Sequence, residues 1–252
     1  MSQGKLKYFD RWPRRRYISP TMASCVLQCP WQYWAKYLGK VDKVDGLALR
    51  RGAFFDSLCA GEDITVGLSG ADVDTITKRY LAYKPLIPPG TPQVPVQFEL
   101  GYNDWWVRGY VDWVPDDDAL PFTEQKLATR PWERKKIAYN RMQIMTYNKG
   151  LLWRPGQFDV NNMEAEGTQR FSEKDYLPRG NTPKQAWDKV EKDYIKAAKL
   201  IEGNIWEPCP GILCKGENKH GDTWECDYWA VCPITLEQQA KEMRINEFTK
   251  CF

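Results

Sequence analysis

The sequence predicts an α/β protein of mixed type, with helices first, a group of strands next, and helices alternating with a further strand behind them. Three observations lead there. Residues 19–83 carry helix-start signals and apolar side chains at helical spacing. From Val94 the period shortens to two over three runs separated by turn residues. Beyond residue 134 the helical period returns, interrupted by one strand-like run. At 252 residues the chain can bury a sizeable core.

Taken in order, "SPTMASCVLQCPWQYWAKYLGK" opens a helix at Ser19-Pro20-Thr21, and Pro30 should disturb it. Helices over 48–60 and 72–83 follow, and "KPLIPPGTPQVP" reads as a linker or long loop. The runs "VPVQFELGY", "WWVRGYVDWV" and "ALPFTEQKL" form an antiparallel meander, with Asp116, Asp117 and Asp118 at one turn. "RKKIAYNRMQIMTYNKGLLW" spaces Ile137, Met142, Met145 and Leu151 among basic residues and predicts one amphipathic helix. "GQFDVNNMEAE" predicts a strand, and "TPKQAWDKVEKDYIKAAKLIEG" a helix with Pro183 near its start and Gly203 near its end. The chain shows no internal repeat and no low-complexity segment.

Net charge is only +3, but it is unevenly spread. Residues 1–51 hold 11 Lys/Arg against 3 Asp/Glu, residues 52–125 hold 4 against 12, and residues 126–154 hold 8 against 1. Basic segments flanking an acidic one suit a polyanion channel around a metal centre, although ordinary solvated faces satisfy the same tally. No apolar run approaches the roughly 18–20 residues of a membrane helix, and "MSQGKLKYFDRWPRRR" lacks the apolar segment of a signal peptide. A cytoplasmic protein without a membrane partner is therefore expected. In that setting, clustered residues among the eight Cys bind a metal or a cluster more often than they form disulfides.

The stretch "RGYVDWVPDDDALPFTEQK" carries the chemistry. Strand side chains alternate, so Glu124 and Lys126 point the same way, about 7 Å apart along the strand. An antiparallel neighbour can bring Asp112 beside Glu124, and two carboxylates in one small volume are costly unless a divalent cation neutralises them. Mg²⁺ or Mn²⁺ held there would polarise a phosphoryl oxygen, with the Lys126 ammonium orienting water or stabilising developing charge. A surface hairpin with a routine Glu–Lys pair satisfies the same short pattern. Gln143 and Tyr147 add support, since a spacing of four puts both on one helix face, where a polar and an aromatic group can reach a nucleic-acid strand.

Gly109-x-x-Asp112, Glu124-x-Lys126 and Gln143-x-x-x-Tyr147, in that order, resemble the PD-(D/E)XK nuclease superfamily in its RecB-like branch. "SPTMASCVLQCPWQYW" is similar to the segment that opens the iron-sulfur exonucleases of that branch, including those of CRISPR adaptation. The resemblance covers most of the chain. It implies a restriction-endonuclease-like core, a mixed central sheet flanked by helices, in 48–203. A cluster-binding lobe would join 17–47 to 204–235, all within one nuclease domain. It further implies Asp112 and Glu124 as metal ligands, Lys126 as the catalytic lysine, and Gln143 and Tyr147 as the helix motif beside the site. One departure stands out: where the branch carries a metal-binding His, "RGAFFD" puts Asp56, an acceptable oxygen ligand for Mg²⁺ or Mn²⁺.

Relatives with a cluster take one Cys from the N-terminal segment and three from the tail. Cys226 and Cys232 keep the last spacing, followed by Pro233, but position 223 is Thr. The set implied is Cys29, Cys214, Cys226 and Cys232 around a [4Fe-4S] cluster. Cys209 with Cys214, Cys226 and Cys232 alternatively suits Zn²⁺, with His220 as a possible substitute. Cys25, Cys59 and Cys251 read as ordinary thiols. Arg108, Arg130 and Lys135 are the candidates for a phosphate groove, near Trp residues able to stack on bases. The function expected is a metal-dependent DNA nuclease, most simply a single-strand exonuclease. The alternative is a catalytically weak iron-sulfur subunit that binds DNA ends for a partner protein in a processing complex. A structural zinc protein without nucleic acid would make the motif order a coincidence.

Overall fold

The computed structural model describes residues 16–39, 41, 46–62, 67–208, 215–217, 223–225 and 232–233. It contains two compact units: residues up to Pro20 with Asp45–Ile195, and Thr21–Val44 with residues from Lys196 onward. The division after Ile195 falls within the last helix, which runs to Glu202.

The first unit is built on a mixed sheet flanked by helices. Strand β1 (Arg16–Ile18) lies parallel to β3 (Trp105–Pro115), and β2 (Gly90–Glu99) runs antiparallel along nearly the whole of β3. On the edge of β3 away from β2, β1 pairs with residues 105–107 and β4 (Phe122–Ala128) meets β3 through one ladder pair, Trp113 with Thr123. β4 is parallel to β5 (Gly156–Asn162), and β5 is antiparallel to β6 (Thr168–Phe171).

The Pro-rich stretch is not a loop to its end: β2 begins at Gly90 and contains Pro92 and Pro95. Both prolines are tolerated because, among the described residues, β2 pairs on one side only. β1 has no counterpart in the sequence reading; three residues are too few to show a period, and its pairing with β3 creates it.

Helices α1 (Pro20–Gln28) and α2 (Pro30–Tyr33) are separated at Cys29, as Pro30 requires. α3 (Leu47–Cys59) and α4 (Gly70–Tyr83) fall where helical spacing puts them, α4 starting from the Ser69 cap. They pack Phe54, Phe55, Ile76 and Tyr83 together over Leu127 of β4. The single helix expected over 134–153 is two, α5 (Arg134–Tyr139) and α6 (Arg141–Gly150), parted at Asn140. Together they form the crossover that parallel strands β4 and β5 need.

α6 buries Ile144, Met145 and Tyr147 against the sheet face opposite α3 and α4. A single-turn helix α7 (Glu173–Tyr176) precedes α8 (Pro183–Glu202), whose Tyr194 hydroxyl meets Thr146 at 2.7 Å. β5 is buried along its whole length although four of its seven residues are Gln, Asp or Asn. Its polar side chains are bonded instead of solvated: Gln157 to Thr123, Asp159 to Arg170 and Tyr83, Asn161 to Thr168.

In the second unit the Cys29 thiol caps α2, accepting from the Gln32 N–H at 3.4 Å, and a wider π turn follows at Trp34–Leu38. Tyr33 stacks on Trp206 with centroids 5.7 Å apart. Burial, with the Cys25 charge behind it, pushes the Tyr37 phenol up to about 12. Strands β7 (Lys215–Glu217) and β8 (Thr223–Glu225) form a small antiparallel ribbon. No described helix is long and apolar enough to cross a membrane.

Candidate active site

The site forms where β3 and β4 part. After the Trp113–Thr123 rung the ladder stops, and the Asp112 carboxylate takes over: its Oδ2 accepts the Gln125 backbone N–H at 2.9 Å. This side-chain bond replaces the missing carbonyl partner and holds Asp112 between the strands. Glu124, one residue back on β4, is completely buried. Its Oε1 accepts from the Gln143 amide of α6 and pairs with the Lys126 ammonium. Lys126 Nζ also lies 3.7 Å from Asp112 Oδ2, so one cation serves two carboxylates. Strand alternation thus gives Glu124 and Lys126 the common direction expected of them, and the antiparallel turn brings Asp112 alongside.

Glu124 Oε2 is buried with no hydrogen-bond partner. Burial holds the Glu124 carboxyl well above the usual carboxylate range, the Asp112 charge adds to this, and Lys126 opposes it. Burial alone would lower the Lys126 ammonium, but Glu124 and Asp112, with Asp56 beyond them, outweigh it and hold Lys126 above the usual lysine value. Lys126 therefore stays charged at neutral pH.

Gln143 and Tyr147 do share a face of α6: the Gln143 amide also donates to Tyr147 Oη at 3.2 Å. Tyr147 does not offer its ring to a ligand, because it is 4% exposed and packed edge-on to Phe122. It lies so close over Gly109 that a Cβ there would come within 2.6 Å of its Cε1. Burial first, then Glu124 and Asp112, raise its phenol far above the ordinary value, so it remains neutral. Gly109→Ala is accordingly expected to cost about 1–3 kcal/mol by forcing the Tyr147 ring off β3. A thermal melt checks this, and an unchanged Tm would show that α6 can shift freely.

Asp56 is exposed on α3, near enough for its charge to act on Lys126 and on Cys59. Two residues that the sequence did not single out belong here. Cys59, read there as an ordinary thiol, faces the same charges: burial, then Asp56 and Asp112, keep it protonated. Gln93 donates to Asp112 Oδ1 at 3.3 Å from within the stretch read as a loop, so nothing in the sequence marked it.

The proposed groove residues are more scattered in their engagements. Arg108 stacks over Tyr17 at 4.3 Å, and exposed Arg130 lies 3.7 Å from Glu164. Lys135 is described in its backbone alone. Of the cluster set, Cys29 is half-buried and Cys232 buried, both as free thiols. Cys214 and Cys226, with Cys209 and His220, lie outside the described residues.

Among the described residues no group of three or more His, Cys, Asp or Glu is gathered as a ready-made ligand set. The pair Asp112 and Glu124 nevertheless suits a hard divalent cation. Both offer oxygen, and the orphaned, buried Glu124 Oε2 is the kind of atom a cation would satisfy.

No family model matches the chain, and no curated protein matches it. Among solved structures, one described as "Crystal structure of SSO0001" is similar with a TM-score of 0.48 and 13% identity, over 90% of this chain and 91% of that one.

Proposed function

We propose that this chain is a metal-dependent DNA nuclease of the PD-(D/E)XK, RecB-like kind, acting on single-stranded DNA or single-stranded ends. The observation that carries the reading is Glu124: wholly buried, one carboxylate oxygen unpaired, Asp112 beside it and Lys126 on both. A carboxylate kept dry at this cost makes sense where a cation is meant to bind.

Asp112 and Glu124 would hold Mg²⁺ or Mn²⁺, with Asp56 as the third candidate. When bound, such an ion supplies Lewis acidity toward a phosphodiester and a more acidic water. The chain's own groups do the rest. The Gln143 amide holds Glu124 by Oε1 and leaves Oε2 free. The Gln125 N–H fixes Asp112. Lys126, permanently charged, is positioned to neutralise negative charge gathering on the phosphoryl oxygens during attack. The second unit is proposed as an iron-sulfur lobe, with Cys29 and Cys232 contributing to the set that includes Cys214 and Cys226, and the protein is proposed to work in the cytoplasm.

The test is degradation of end-labelled single-stranded and duplex DNA by anaerobically purified protein in Mn²⁺, Mg²⁺ or EDTA. Metal-dependent loss of label is expected, with the order of products giving the polarity. A second reading, an end-binding subunit of a DNA-processing complex, is favoured by Asp56 standing where the branch has His. Retained DNA binding without cleavage under every metal would establish that reading instead.

A further inference from the structure

We propose that Gln93 is a positioning residue of the metal site, setting the orientation of Asp112 and thereby the affinity for a divalent cation. This rests on the reading of Asp112 as a metal ligand. In β2 every residue from Gly90 to Glu99 has a ladder partner on β3 except Gln93, whose partner would be Asp112. Pairing resumes on both sides without a change of register, so no residue is inserted; the strand is kinked at this one rung.

Gln93 has φ 54°, in the left-handed region that a residue with a Cβ avoids. The kink is pinned from both sides, since Pro92 has its φ fixed by its ring and Val94 is held extended by Pro95. The start of the strand is anchored as well: the Trp113 indole donates to the Pro88 carbonyl at 3.1 Å, and the Asp116 N–H to the Pro89 carbonyl at 3.0 Å. In place of a ladder bond at this rung, the Gln93 amide reaches Asp112 Oδ1.

Asp112 thus accepts from both neighbouring strands, at Oδ1 from a β2 side-chain amide and at Oδ2 from the β4 backbone N–H. A carboxylate held at both oxygens keeps its plane when a cation arrives and when it leaves. Backbone strain persists where the surroundings impose it, and it gathers at functional sites. Here it aims an amide donor at Asp112, the carboxylate that lies beside both Glu124 and Lys126.

The test uses the full chain and Mn²⁺ itself. Gln93→Gly removes the amide while relieving the positive φ, so folding is not at risk. Its Tm in EDTA should equal or exceed that of the wild type, while its calorimetric Mn²⁺ affinity falls roughly tenfold, the scale of losing an outer-shell partner. Cleavage should need correspondingly more Mn²⁺ and recover at saturation, a change in apparent KM for metal with kcat retained. Mn²⁺ binding by Gln93→Gly equal to that of the wild type would overturn the role of Gln93. A wild type that takes up no Mn²⁺ would instead overturn the metal reading beneath it.

Discussion

Lys126→Ala is expected to lower cleavage by about a thousandfold while DNA affinity stays within a few-fold. The ammonium lies against both Glu124 and Asp112, and together they hold it charged. Its side chain is 26% exposed, so its removal opens no core cavity. What removal does leave is Glu124 buried without its counter-charge, and breaking a buried pair in this way costs up to about 3–5 kcal/mol. The loss should appear in EDTA and largely disappear in Mn²⁺, because a divalent cation replaces the missing charge. Melts of the variant in both buffers, beside single-turnover cleavage, separate the two effects. A variant equally unstable with and without Mn²⁺ would make Lys126 a structural residue.

Glu124→Gln should abolish activity and raise stability, two effects of opposite sign from one atom. The buried carboxyl binds its proton more tightly in the folded chain than in the unfolded one. The folded state therefore carries more bound protons over the interval from the ordinary glutamate value, about 4.3, up to the raised folded value. Stability contributed by this group is full below that interval and is lost as pH rises through it. At neutral pH without metal, wild-type Glu124 is a cost, and the amide should stabilise the fold by about 1–3 kcal/mol. Its oxygen keeps the Gln143 bond, and its NH₂ can donate to the adjacent Asp112. Denaturant melts in EDTA at pH 7 and pH 5 check this. The gap between variant and wild type should narrow on acidification, and Mn²⁺ should raise the Tm of the wild type alone. A variant less stable than the wild type at pH 7 would show that the carboxylate is satisfied in some other way.

The two predictions depend on unequal shares of sequence and structure. That Glu124 and Lys126 face one way, and that Gln143 and Tyr147 share a helix face, follows from periods of two and 3.6 and is legible in a few residues. The Asp112–Glu124 approach also needed only a short turn between consecutive strands. The burial of Glu124 was not legible, because an acidic residue in "PFTEQKL" reads as a solvated one. It becomes dry only when α6, contributed from nearly twenty residues further on, lays Gln143 and Tyr147 over it. The burial of Tyr147 was missed for the same reason: the glycine that admits its ring lies on a different strand.

The sequence by itself determined the longer helices and the strands that carry the site, the charged pair with its lysine, and the helix face that meets them. All of these rest on neighbours within one strand, one helix or one hairpin, where backbone geometry dictates direction. Only the tertiary structure decided that a Pro-rich stretch pairs as a strand and that Asp112 caps an opened ladder. It alone put Gln93 on Asp112 and left one oxygen of Glu124 without a partner. Those depend on sheet order and on packing between distant segments, where a side chain's surroundings are set by residues that local periodicity does not contain.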